Sequence, residues 1–314
     1  MKICKVNNYT APAKHAQGAQ MVLEALSYQF QKDGHEVSLL LNKGSKCDFG
    51  RLVNKIPEDV DIVHYHGGLP HEYGHNHKLP WVTTSHGGGI DTQERMAEVK
   101  KYTDHIIFVS KFCADLYESD CFIYNCLNEQ DFVFSDKKDD YFLWIAGTDW
   151  GEQKGLFSSI MFAKKLGFKL KIAGGGKNQQ IIEEIKRNCG PKIEYLGFVN
   201  GREKAELLSK AKALLMIGDI LDACPLNNIE ALASGTPIIA KNRGSHPEVV
   251  NNKVGFVCES SADIVKAIMR IGKINPLDCR KHFENTFSTK IIAKRYITIY
   301  ESMIKSGTVR QNVD

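Results

Sequence analysis

No run of about 18 apolar residues occurs anywhere in this 314-residue chain, and the opening MKICKVNN turns polar before the roughly 7 to 15 apolar residues of a secretory leader accumulate. A membrane span and export are therefore not expected, and a cytoplasmic location is. Low-complexity tracts are missing too, and 43% hydrophobic with 25% charged residues leaves no stretch that reads as disordered. The nine cysteines, at 4, 47, 113, 121, 126, 189, 224, 258 and 279, are odd in number and never spaced CxxC. That excludes a zinc ribbon or disulfide framework and fits a reducing compartment. No GxGxxG follows the first apolar run with an acidic residue about 20 positions on, which speaks against a dinucleotide oxidoreductase.

What is present is a long alternation. Short β-branched runs (KICKV, EVSLLL, DIVHYH, WVTTS, HIIFVS, CFIY) alternate with longer amphipathic stretches in the first half, and FLWIAG, KLKIAG, KIEYLG, ALLMIG, PIIA and VGFVC repeat the pattern in the second. This is the signature of βαβ units and parallel sheets, and the length suits two α/β domains. The polar, charged stretch 128–140 separates the halves, which gives domains of 1–138 and 139–290 followed by a long amphipathic helix within 291–314. A terminal helix of that length is expected to pack back on the first domain, with the tail SGTVRQNVD frayed. Up to residue 138 there are 15 Lys and Arg against 18 Asp and Glu, net −3, and beyond it 26 against 19, net +7. The second half thus suits a phosphate-bearing small molecule rather than a continuous nucleic-acid footprint.

The densest chemistry lies between Met216 and Val257. Asp222 precedes a helix that opens near Pro225, a residue suited to a first turn because its missing N–H would be unpaired anyway. The amides of Leu226, Asn227 and Asn228 should then face outward. With the positive end of the helix dipole they form a site for a diphosphate. Glu230, one turn further in, can accept two vicinal hydroxyls, as on a ribose.

This segment resembles the donor-binding signature of the retaining glycosyltransferases of family 4. The family pattern is Glu, seven residues, Glu, then an alanine- and glycine-containing turn; here Asp222 and Glu230 stand eight apart and ALASGTPIIA follows, with GSHPEVV and VGFVC matching the later turn and strand. The resemblance implies the GT-B fold, with two Rossmann-like doubly wound parallel sheets facing a cleft, the first domain for the acceptor and the second for the donor. It implies same-face transfer from a nucleotide-diphosphate sugar, UDP-sugar first, with no metal and no cofactor beyond that co-substrate. The departing diphosphate helps to deprotonate the acceptor.

Carried over residue by residue, the resemblance makes Lys154 of AGTDWGEQKG the lysine that neutralises the phosphates, with Gly147 and Thr148 in the same loop and Thr148 where the family has arginine. Gly174 of KLKIAGGG lies beside the nucleotide, and Phe198 and Val199 wall the base. Gly18 of HAQGAQ is the glycine of the first loop, and His86 of VTTSHGG is the active-site histidine. Asp222, Lys154 and His86 would be catalytic; Pro225, Leu226, Asn227, Asn228 and Glu230 would hold the donor. Asp222 is one methylene shorter than the family's glutamate.

His64, His66, His71, His75 and His77 contain HxH pairs but no accompanying Cys or carboxylate at ligand spacing, so they are read as polar histidines at and before an acceptor-side lid over 67–79, not as a metal site. Trp150 suits either ligand stacking or packing. A nucleotide-sugar epimerase or a phosphorolytic enzyme of the same fold, and a non-catalytic nucleotide-sugar-binding protein, are the alternatives. The acceptor stays open among glycan, lipid-linked sugar, small metabolite and modified nucleic-acid base.

Overall fold

Parallel strands buried on both faces need continuous apolar runs, and the runs of this sequence condense into two such sheets. The computed structural model describes residues 1–11, 18–76, 78–87 and 93–309. Two units emerge: Met1–Leu127 with Phe287–Asp314, and Asn128–Thr286. Residues 128–138 therefore group with the second unit.

In the first unit, β1 (Lys2–Val6), α1 (Gly18–Lys32), β2 (Glu36–Leu40), β3 (Arg51–Leu52), β4 (Ile62–His66), β5 (Trp81–Ser85), α2 (Gln93–Lys100), β6 (Ile106–Phe108) and α3 (Lys111–Leu116) follow in turn. The sheet has six strands in the order β3-β2-β1-β4-β5-β6, all pairs parallel. Helix α1 buries Val22, Leu23, Leu26 and Phe30, and stops where Gly34 turns left-handed at φ +85°. The run CFIY forms no strand: Phe122 makes only an isolated bridge to Phe108.

The second unit comprises β7 (Phe142–Ile145), α4 (Leu156–Leu166), β8 (Leu170–Ala173), α5 (Gln179–Asn188), β9 (Ile193–Gly197), α6 (Gly201–Lys210), β10 (Ala213–Met216), α7 (Leu226–Ala233), β11 (Ile238–Lys241), α8 (His246–Val249), β12 (Gly255–Cys258), α9 (Ser261–Arg270) and α10 (Pro276–Thr286). Its six strands run β12-β11-β10-β7-β8-β9. Phe142, Trp144, Leu156, Leu170, Ile172, Leu215 and Ile239 form its core. The order turns outward in both directions from the β7/β10 pair, and such a switch point opens a crevice at the carboxyl ends of the strands.

The last helix, α11 (Thr289–Ser306), belongs to the first unit. Its Tyr300 hydroxyl lies 2.6 Å from His64 Nδ1 and its Tyr296 hydroxyl 3.0 Å from Thr84 Oγ1, all four side chains buried. The chain just beyond is held rather than frayed as far as Val309, which is buried and donates its amide to the Asp104 carbonyl at 2.8 Å. Residues 310–314 lie outside the described residues.

Candidate functional site

At the β7/β10 switch point two loops touch backbone to backbone. A methyl group added at Gly218 would sit 2.1 Å from the Gln153 carbonyl oxygen, and one at Gly155 2.6 Å from the Gly218 nitrogen. Only glycine permits that approach, and Gly155 also adopts φ +75°. The indole N–H of Trp144 donates to the Lys154 carbonyl at 2.9 Å and fixes the same turn from below. As a result the Lys154 ammonium stands 3.2 and 3.4 Å from the two Asp222 oxygens, both side chains about one-seventh exposed. Trp150, half exposed, places its ring 5.9 Å from the same ammonium.

On its other flank Asp222 meets His246, which opens α8. The Asn228 amide nitrogen donates to His246 Nδ1 at 2.9 Å, so in the neutral ring the proton resides on Nε2, 3.7 Å from Asp222. Burial pushes His246 down to about 4, with Asp222 opposing the shift and Lys154 adding to it. The unfolded chain binds this proton near 6.5 and the folded chain only near 4, so stability falls as pH drops through that window. A shift of this size corresponds to about 3 kcal/mol once pH reaches 4. Urea denaturation of His246→Gln should show a shallower acid loss than the parent; an identical slope would remove His246 from the account.

Helix α7 starts one residue later than the sequence suggests. Pro225 is its cap, with φ −69° and ψ 109°, and its carbonyl accepts from the amides of Asn228 at 3.1 Å and Ile229 at 3.4 Å. The Asn228 amide is thus engaged, a correction to the three free donors expected. Those of Leu226 and Asn227 meet no acceptor among the described residues. The asparagine side chains point inward: Asn227 donates to the Ile145 carbonyl at 2.5 Å, and Asn228 is fully buried on His246. They lash the helix start to β7 and α8.

Glu230 is 2% exposed, and Lys204 of α6 reaches its carboxylate oxygens at 2.7 and 2.6 Å. Burial raises its pKa and Lys204 pulls it back. A ribose binding there would share the carboxylate with that ammonium.

The remaining donor-side positions interlock around the ends of β7 and β8. Gly174, at φ +145°, lies so close to β7 that an added methyl would fall 1.7 Å from the Ala146 oxygen. Gly147 caps the short turn Thr148–Lys154. Thr148 is fully buried, its amide bonded to the Gly175 carbonyl at 3.0 Å and its hydroxyl without a partner among the described residues. Where the resemblance expects a cation, the chain has a packed hydroxyl. Phe198 is 57% exposed beside Gly175, while Val199 is buried, so of the expected base wall only Phe198 presents much surface.

In the first unit Gly18 is the exposed opening residue of α1. His86 follows β5; its Nδ1 lies 3.2 Å from Asn125 Oδ1 and its Nε2 3.2 Å from His66 Nδ1. Since Asn125 Oδ1 only accepts, His86 carries its proton on Nδ1 and takes the His66 proton at Nε2. Burial pushes His86 down to about 4, with the Asn125 bond opposing and Lys5 reinforcing, so the ring is neutral near pH 7. His64 and His66 are buried strand residues, His71 pairs with Glu98 at 3.0 Å, and His75 bonds the Tyr65 hydroxyl at 3.1 Å. His77 lies outside the described residues. Among the described residues no group of three or more His, Cys, Asp or Glu is placed to hold a metal ion, and no helix is long and apolar enough to cross a membrane.

Residues 128–286, just over half of the chain, match the family described as glycosyl transferases group 1. This chain belongs to that family. It is 25% identical over 250 residues to an uncharacterized glycosyltransferase of Methanocaldococcus jannaschii, covering 64% of this chain and 62% of that protein. The chain spans less than two thirds of the length of the curated relatives it matches. Among solved structures, a glycosyltransferase involved in avilamycin A biosynthesis superposes with TM-score 0.78 at 21% identity over 97% of this chain and 98% of that one. HepE of Anabaena in complex with UDP gives 0.73 at 12% identity over 96% and 100%. The fold is therefore GT-B, two Rossmann-like domains, as the sequence implies. These relatives lend no support to the epimerase alternative.

Four participants escape sequence reading. His246 sits inside GSHPEVV, Lys204 is one of two lysines on α6, and Asn125 and His66 flank His86.

Proposed function

We propose that this group 1 chain is a retaining, metal-independent glycosyltransferase, a hexosyl- or pentosyltransferase of family 4, acting in the cytoplasm on a UDP-sugar and an acceptor hydroxyl. The observation that carries this reading is the bare Leu226 and Asn227 amides at the start of α7 in the same unit as the Lys154–Asp222 pair. Backbone donors at a helix N-terminus and one ammonium suit a diphosphate, whose negative charge grows as it leaves. HepE, a protein of the same fold, is known in complex with UDP.

In the proposed step the bond from the anomeric carbon to the phosphate oxygen breaks, and its electron pair stays on the diphosphate. The acceptor oxygen bonds the anomeric carbon on the same face. The acceptor proton passes to the departing diphosphate. Lys154 leaves Asp222 to neutralise that charge, and Asp222, freed, accepts a donor-sugar hydroxyl. Glu230 takes the ribose hydroxyls and Phe198 stacks on the base. Gly147, Gly174 and Gly18 keep backbone close to the ligands, and the neutral His86 gives up its His66 partner so that Nε2 accepts a hydrogen bond from the reacting sugar. The first unit is assigned to the acceptor and the second to the donor.

A thermal-shift screen with UDP-, GDP- and ADP-sugars is the direct test, since a ligand at 100 times its Kd adds about 2.7 kcal/mol to the folded state. A rise with a UDP-sugar, followed by an NMR assignment of the product anomer as that of the donor and transfer unaffected by chelator, is expected. No shift with any nucleotide sugar would sink the reading.

A further inference from the structure

The carboxyl edge of the first sheet holds a hollow of about 570 Å3, framed by the segments that follow β1, β2, β3 and β4. Each segment brings asparagine to it: Asn7 and Asn8 after β1, Asn42 after β2, Asn54 after β3 and Asn76 after β4. The side chains of Asn8, Asn42, Asn54 and Asn76 have no hydrogen-bond partner among the described residues, while Asn7 donates through Nδ2 to the His66 carbonyl at 2.5 Å. Five carboxamides from four loops is a composition that neither a packed core nor an anion site calls for.

We propose that this hollow binds a neutral sugar unit of the acceptor, so that the acceptor is a carbohydrate; the assignment of that sugar to the acceptor rests on the transferase reading above. A carboxamide offers two donors and two acceptor lone pairs, the complement of hydroxyls that both give and take. Charge is balanced, with Lys55 and Glu58 as the two ionised side chains of the lining among the described residues, so a phosphate has no net attraction to it. An apolar ligand would strip water from the carboxamides without replacing its hydrogen bonds.

One wall is aromatic. The rings of Tyr73 and His75 lie nearly parallel, 20° apart with centroids at 6.1 Å, and the Tyr65 hydroxyl 3.1 Å from His75 Nδ1 steadies them. Such a face suits the C–H side of a pyranose. The strand order reverses between β1 and β4, where parallel sheets open ligand crevices. Asn7 also ties the hollow to the backbone of His66, whose ring contacts His86. A sugar bound here lies on the side of the sheet that carries the proposed active-site histidine.

The test uses the full chain, with saturation-transfer NMR against maltose and glucose 1-phosphate, and a parallel thermal shift with UDP-glucose. Asn42→Ala/Asn54→Ala removes two exposed carboxamides without touching the core. The wild type should bind maltose, and the double variant should bind it about tenfold more weakly, as expected for two lost hydrogen bonds, with its UDP-glucose shift unchanged. Binding of glucose 1-phosphate alone, or maltose binding equal in both proteins, overturns the proposal. If none of the UDP-, GDP- and ADP-sugars gives a shift while maltose binding still depends on the asparagines, the hollow stands as a sugar site and the transferase reading fails on its own.

Discussion

Lys154→Ala should lower kcat for sugar transfer by about 100- to 1,000-fold, the loss typical when one preorganised donor to a developing anion is removed. The ammonium is mostly buried, and Asp222, its one carboxylate partner among the described residues, holds it beside the strand ends. When a diphosphate arrives, the lysine trades that partner for phosphate oxygens, so its worth is greatest as the leaving group gains charge. The fold should tolerate the change: Asp222 keeps His246 beside it at 3.7 Å, and the loop is braced by Trp144 through the lysine's carbonyl rather than its side chain. Losing Lys154 also removes a charge that depresses His246, whose titration should move up. Steady-state kinetics together with NMR of the His246 ring decide the matter. A kcat within a few-fold of the parent would remove Lys154 from the chemistry.

Gly174→Ala is expected to destabilise the second unit by about 3 kcal/mol or more, the range of severe backbone clashes. The new methyl would fall 1.7 Å from the Ala146 oxygen, at φ +145° where side chains are rarely accommodated. Relief requires β7 and β8 to separate at the end that carries the candidate site. Gly190→Ala is the control: nothing lies within 4 Å of its added methyl, and the change should be neutral or slightly stabilising through the unfolded chain. Equal melting curves for the two variants would contradict the packing described.

Much of this was legible because it is local. Eleven of the twelve apolar runs named from sequence coincide with strands, since a buried parallel strand needs little beyond four or five β-branched or apolar residues. CFIY failed because pairing, not composition, makes a strand, and its neighbour β6 offers it only one bridge. The helix opening after Pro225 was readable within one residue, although its third amide was not free, because a carbonyl three residues back is as close as any ligand.

By itself the sequence determined the α/β class, the strand runs, the glycine turns and the positions of Asp222 before, and Glu230 within, the helix that opens after Pro225. The tertiary structure alone decided that Glu230 is gripped by Lys204, that Asp222 lies between Lys154 and His246, that Thr148 is sealed inside, and that Asn228 turns from ligand to scaffold. The physical reason is that periodicity records only which face of a segment is buried. Which side chains then meet depends on the order in which strands lie beside one another, and contacts spanning 18 to 68 residues exist only once that order has been formed.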